Sequence, residues 1–172
     1  SSDWRAQVAA WKPSDPLPRA LPLVDENGHP FHLGDLRGAP LAIGFVFTHC
    51  AVSDACPMTM ARLVDAQRLA IETHARVRFL VVTIDPQRDT PAVLADYARH
   101  FEADTATFTL ATGDKDAVDA LASLFNVVAV PAGAPIPHPV RPAIVDAELR
   151  VKHVYADNNF QSKEVLDAAV AQ

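Results

Sequence analysis

Leu41-Ala42-Ile43-Gly44-Phe45-Val46-Phe47 is an unbroken apolar run. A strand with one wet face alternates apolar and polar residues, whereas a strand covered on both faces reads as continuous apolar sequence. The run therefore predicts a central strand of a sheet with helices on both sides. Val77–Ile84 is a second run of the same kind. Between them Pro57 suits the first turn of a helix, where its missing N–H costs nothing. The spacing predicts that this helix reaches about Ala75, with Met60, Leu63, Val64 and Ile71 on one face. Strand, helix and strand at these lengths form a right-handed parallel crossover.

Toward the N-terminus, Leu21–Val24 and Pro30–His32 flank Asp25-Glu26-Asn27-Gly28, a turn sequence that predicts a hairpin. Residues 1–20 differ in character and are read as an N-terminal extension ahead of a domain over 21–172. Both tryptophans lie in the extension, and Trp4, Val8 and Trp11 have helical spacing. Packing of this segment on its own domain is the plainer expectation; a contact with a partner or a tether to an anchor is the alternative. Toward the C-terminus, Thr90-Pro91 opens a helix carrying Leu94, Tyr97, Ala98 and Phe101, and Thr107–Ala111 is a short strand. Val118, Leu121, Ala122 and Phe125 mark a third helix. Val140–Val145 and Leu149–Tyr155 are strands about Asp146-Ala147-Glu148, and Ser162 is the expected cap of a last helix. Alternating strands and helices with a terminal hairpin give an α/β fold with a mixed sheet.

The chain has 172 residues, 49% hydrophobic and 21% charged, as expected of one globular domain. Its net charge of -6 and lack of a basic stripe argue against a nucleic-acid partner. No apolar run approaches the roughly 20 residues of a membrane helix. The chain opens Ser1-Ser2, as would a mature form after signal removal or a segment cut behind an anchor. A monomer is expected, since no coiled-coil pattern or long apolar edge appears.

Two cysteines, Cys50 and Cys56, are too few for a disulfide framework and close enough for a site. Cys50 follows the first buried strand and Cys56 precedes the helix, the edge at which open α/β sheets bind ligands. A helix N-terminus stabilises thiolate, which is both nucleophile and soft-metal ligand. Copper(I), zinc and iron–sulfur clusters all take thiolate. A cluster wants four cysteines and structural zinc four closed ligands, so copper(I) fits the supply better. A third ligand would be an imidazole. His29 and His32 flank the hairpin, His74 and His100 fall near helix C-termini, and His153 alternates within a strand. His49 is adjacent to Cys50, but neighbours on an extended backbone point opposite ways. His138 stands between Pro137 and Pro139, which restrict how its ring is presented. Met60 falls on the core face, while Met58 is a more open candidate ligand or gate. Asp85 ends the second strand, and Arg88 and Asp89 are expected to pair in the turn that follows.

Phe47-Thr48-His49-Cys50, Cys56-Pro57, the stretch Thr83-Ile84-Asp85-Pro86-Gln87-Arg88-Asp89-Thr90-Pro91, and His138 ahead of Ile144-Val145-Asp146 together resemble the Sco/SenC family. Leu33-Gly34-Asp35-Leu36-Arg37-Gly38 is similar to the family's approach to its first core strand. The resemblance covers about residues 20–170. It implies a thioredoxin-like fold with an added hairpin, and one copper ion, copper(I) or copper(II), held by Cys50, Cys56 and His138. Met58, Asp85 and His49 remain candidate accessory groups. The family serves assembly of the dinuclear copper site of cytochrome c oxidase, and some members are argued to act as thiol–disulfide reductases or redox sensors. The resemblance thus implies a metallochaperone whose partner donates or receives copper, such as an oxidase subunit. It also implies an extracytoplasmic location, in bacteria the periplasm, on a membrane or lipid anchor outside this chain.

The chain departs from the family at the cysteines. The family spacing is C-x3-C with proline after the first cysteine; here Cys50-Ala51-Val52-Ser53-Asp54-Ala55-Cys56 is C-x5-C. Closing the longer loop costs only about 0.4 kcal/mol more. A copper site with altered affinity or reduction potential is therefore expected. The alternative is an enzyme, a thiol–disulfide oxidoreductase using Cys50 and Cys56, although thioredoxin-type redox sites use C-x-x-C.

Overall fold

A computed structural model describes residues 3–49, 56–127, 142–157 and 159–171. The chain begins with helix α1 (Trp4–Ala10), whose cap Asp3 accepts from the Arg5 and Ala6 amides at 3.1 and 3.4 Å. Strands β1 (Pro22–Asp25) and β2 (Pro30–His32) form the hairpin, and a 3-10 turn (Leu33–Leu36) leads to β3 (Leu41–Val46). The crossover follows as α2 (Cys56–Glu72) and β4 (Arg78–Thr83). Then come α3 (Pro91–His100), β5 (Phe108–Thr112), α4 (Lys115–Leu124), β6 (Ala143–Val145), β7 (Val151–Val154) and α5 (Ser162–Val170).

The described strands make one mixed sheet in the order β2-β1-β5-β4-β3-β6-β7. Its centre, β5-β4-β3, is parallel, with Leu41 opposite Arg78 and Val46 opposite Thr83. The pairs β3–β6, β6–β7, β1–β5 and β1–β2 are antiparallel. Every residue of β3 is buried, as its apolar sequence requires. The pleat divides it between two cores. Leu41, Ile43 and Phe45 join Leu80, Val82 and helix α4 on one face; Ala42 and Val46 join Phe79, Val81 and helices α2, α3 and α5 on the other. Gly44 lets α2 lie close to the sheet: a Cβ there would stand 3.1 Å from Leu63 Cδ1 and 3.7 Å from Thr59 Cγ2. The first two turns of α2 are thereby fixed over β3.

Trp4, Val8 and Trp11 pack against the α4-side core. Ala20 N–H donates to Gln7 Oε1 at 3.0 Å, and Leu17 N–H donates to Leu149 O at 2.8 Å. The segment before the hairpin is thus packed on the sheet that follows it.

Two details of the helices differ from the sequence expectation. Ile71, expected in the core, is 50% exposed. At 100° per residue the buried stripe of α2 centres on Leu63, Gln67 and Ala70, and Ile71 falls at its margin in the last turn. The buried position is taken by Gln67, whose Nε2 donates to Asp104 O at 2.6 Å and Thr107 Oγ1 at 2.7 Å. Its Oε1 accepts from Asp104 N–H at 3.0 Å. Ser162 does not cap α5 but is its first residue; Gln161 is the cap, and its N–H donates to Glu164 Oε2 at 3.3 Å. The polar side chain three residues into the helix reaches back to the cap, as in a capping box.

Glu26, in the hairpin turn, is 7% exposed, and its Oε1 accepts from Leu110 N–H at 3.4 Å. It continues the β1–β5 edge past Asp25, the last paired residue of β1. Burial, more than the nearby Asp25 charge, raises its carboxyl above the usual carboxylate range, against the opposing pull of backbone N–H donors and His29. The native state therefore holds this proton to higher pH than the unfolded chain does. Its contribution to stability is full below the unfolded value and declines as pH rises through the folded one. Glu26→Gln keeps an acceptor for Leu110 and removes the charge. Urea denaturation should show the variant gaining stability relative to wild type as pH rises above about 4, the ordinary value of a free glutamate. A difference that stays constant with pH would contradict the assignment.

Candidate metal centre at the carboxyl edge of the sheet

The parallel strands β3 and β4 end side by side, with Ile84 N–H donating to Val46 O at 2.9 Å. Two threonines stand just there, Thr83 closing β4 and Thr48 two residues past β3. Between them lies the carboxylate of Asp89, which has no exposed surface. Its Oδ2 accepts from Thr48 N–H at 3.0 Å and from Thr83 Oγ1 at 2.7 Å. Its Oδ1 accepts a short hydrogen bond from Thr48 Oγ1 and lies 3.6 Å from His49 Nδ1. Asp89 is itself held by its N–H, which donates to Asp85 O at 2.9 Å, and it precedes Thr90, the cap of α3. A buried charge persists only when its lone pairs are matched by donors, and here they are.

The expected Arg88–Asp89 pair does not form. Arg88 Nε lies 3.8 Å from Asp85 Oδ2, on the half-exposed side of the turn. Asp85 thus shapes the turn, since its N–H donates to Thr83 Oγ1 at 3.0 Å and its carboxylate faces Arg88. Asp89 is the residue that sequence reasoning missed. The available signal was the pair of threonines ending two buried strands, with an acidic residue close behind one of them.

The carboxyl edge leads toward both cysteines. Thr48 and His49 form a turn, and Cys50 comes next in the chain. Helix α2 returns to this edge with Cys56 as its first residue, 1% exposed, in the same apolar cluster as Val46 and Met60. Met60 is fully buried, as its spacing implied, and Met58 is half-buried in the first turn. Cys50 and His138 lie outside the described residues, so the ligand set read from the sequence is seen here only at Cys56. His49 is exposed, and because its backbone is in a turn, the alternation expected of an extended chain does not apply to it. The other described histidines are exposed and away from this edge in sequence. His29 faces Asp25 at 3.8 Å, and His74 takes a left-handed conformation (φ 56°) just past α2. There Ala75 N–H donates to Ala70 O at 2.8 Å, closing the helix end.

An open α/β sheet with mixed edges, a hairpin extension and a thiol at the helix after the first core strand defines a thioredoxin-like protein of the thiol-bearing kind. The chain belongs to the SCO1/SenC family, whose model matches residues 13–171. An SCO2-like protein of Rickettsia typhi is 30% identical over 122 residues, covering 71% of this chain and 58% of the relative. The chain therefore spans little more than half of that relative's length. Among solved structures, copper-bound yeast Sco1 matches with a TM-score of 0.73 and 26% identity, over 94% of this chain and 93% of that one. A SCO1/SenC family lipoprotein of Bacillus anthracis matches with a TM-score of 0.78 at 23% identity, over 87% and 90%, which bears on the fold alone. No helix among the described residues is long and apolar enough to cross a membrane.

Replacing Asp89 by alanine would leave the Thr48 amide and two threonine hydroxyls without their acceptor. Orphaned buried donors of this kind cost about 1–3 kcal/mol each before relaxation. Asp89→Ala should lower unfolding free energy by about 2–4 kcal/mol in urea, and Asp89→Asn by less, because an amide oxygen still accepts. A loss below about 1 kcal/mol for Asp89→Ala would show that the carboxylate does not tie the two strand ends.

Proposed function

We propose that this protein binds one copper ion through Cys50, Cys56 and His138 and passes it to a partner. Two thiols and an imidazole are soft and borderline donors, a set that fits copper(I) and accommodates copper(II). The observation that carries the reading is the position of Cys56, buried at the first residue of α2 on the carboxyl edge of the sheet. A helix N-terminus favours a thiolate, and a thiolate is a soft-metal ligand. Membership in the SCO1/SenC family and the likeness to copper-bound yeast Sco1 support the choice of copper.

The recipient under this reading is a copper site in another protein, the dinuclear site of cytochrome c oxidase in the first instance, reached from outside the cytoplasm. Copper would move by exchange of soft ligands, with no change in the covalent structure of this chain. A disulfide between Cys50 and Cys56 would remove both thiolates, so oxidation would empty the site. The position of Cys56 at a helix start also favours a second reading, in which the two cysteines act as a thiol–disulfide couple toward the partner.

Anaerobic titration of the reduced protein with copper(I) against a competing chelator separates the two. One equivalent should bind tightly in wild type, more weakly in His138→Ala, and not measurably in Cys50→Ser/Cys56→Ser. Absence of thiol-dependent binding in wild type would give first place to the thiol–disulfide reading.

A further inference from the structure

Three arginines gather on the 3-10 turn at Leu33–Leu36, where the chain approaches the start of β3. Arg37 Nε donates to Gly34 O at 2.9 Å, and Arg78 Nη1, from the first residue of β4, donates to Asp35 O at 3.4 Å. Those carbonyls are one peptide unit apart, so the two guanidiniums are set beside each other. Arg19 O accepts from Gly34 N–H at 3.0 Å, and a Cβ on Gly34 would stand only 3.0 Å from Arg19 Cβ. The third arginine thus leaves the chain against the same turn.

None of the three has an ion-pair partner among the described residues, whereas Arg5, Arg68, Arg88 and Arg99 each face a carboxylate. A guanidinium carries five N–H donors, so one bond to a carbonyl leaves Arg37 and Arg78 most of theirs. Beside the turn is a cleft of about 500 Å³, lined by Arg19 and Arg37 and also by Ala147 and Glu148. Gly38 N–H donates to Ala147 O at 2.9 Å, tying the turn between β6 and β7 to this place. Two acids border the cleft. The Asp35 carboxylate accepts from His32 N–H at 2.9 Å, and Glu148 is exposed. Three guanidiniums against two carboxylates leave a positive excess in a chain whose net charge is -6. A cleft focuses such a field, and an anion between like charges relieves their repulsion.

We propose that this cleft is an oxyanion site at which Arg19, Arg37 and Arg78 bind a phosphate group. The planar fork of arginine matches the oxygens of phosphate, and a phosphate has an acceptor oxygen for each of three guanidiniums, where a carboxylate has two in all. The group would be carried by free phosphate or by a phospholipid headgroup. The site lies at the amino ends of β3 and β4, opposite the edge that carries Cys56, and it stands apart from the copper reading. Bound to headgroups here, the protein would rest on a membrane with its carboxyl edge turned away and open to a partner.

The test titrates the full chain, labelled with nitrogen-15, with inorganic phosphate at constant ionic strength. Amide resonances of residues 34–38 and 147–148 should shift and saturate. Arg19→Gln and Arg37→Gln should each weaken binding roughly tenfold, the loss of one charge-assisted contact, and Arg19→Lys less. The Arg19 guanidinium has no hydrogen-bond partner among the described residues, so its removal leaves the fold intact. Lys163→Gln, which removes the same charge from α5, should bind as wild type does. Flotation with phosphatidylglycerol vesicles distinguishes the sources: capture that needs Arg19 and Arg37 assigns a headgroup, and phosphate binding without capture assigns the soluble ion. Binding of neither probe, or binding that both arginine variants retain or that Lys163→Gln weakens equally, would overturn the proposal.

Discussion

A carboxylate with no exposed surface governs the functional edge of this molecule. Isolated in an apolar interior, such a charge would cost far more than a domain's whole margin of stability. It is tolerated at Asp89 because one backbone amide and two hydroxyls converge on it from the ends of two adjacent parallel strands. The requirement runs both ways. The donors have to stay where the charge is, so the exits of β3 and β4 and the start of α3 are held to one another. Loops at the carboxyl ends of strands are where α/β proteins bind ligands, and ordinarily they are among the more mobile parts of a fold. Here the residue two positions before Cys50 is bonded to the core through both its amide and its hydroxyl.

The other end of the cysteine segment is fixed by packing rather than by charge. Cys56 is buried in the first turn of α2, and α2 is seated on β3 through the close approach at Gly44. Larger side chains at residue 44 would lift the helix and with it Cys56. The sheet thus supplies two independent anchors for one short stretch of chain, a polar one ahead of Cys50 and an apolar one at Cys56. Each draws on a different face or end of β3, the strand on which the fold is centred.

Most of this architecture is legible in the sequence, because it is written in apolar continuity and periodicity. The runs at 41–47 and 77–84 form the parallel centre, the hairpin folds about its Asp-Glu-Asn-Gly turn, and the helices open where Pro57 and Thr90-Pro91 place them. What escapes a reading of the sequence is polar and buried. Periodicity favours Ile71 over Gln67 because an amide does not register as a core residue, yet three hydrogen bonds make it one. Asp89 is drawn to its neighbour Arg88 because sequence proximity is visible and a partner 41 residues away is not. His49 is discounted by a rule for extended chains that its turn does not obey. In each case the decisive partners or backbone come from the fold, and only the folded chain brings them together.

The same two anchors bear on the lengthened cysteine spacing. An insertion is harmful to a site when it moves the residues that make it, and the residues flanking this one are not set by the loop. Thr48 and His49 are placed by Asp89, and Cys56 by the start of a helix packed on the sheet. The added length falls in Ala51–Ser53, between them, and its direct entropic cost is about 0.4 kcal/mol. Under the proposed copper reading, the lengthened spacing therefore alters the chain between two anchors that the core holds, the buried Asp89 carboxylate ahead of it and the packed start of α2 behind it.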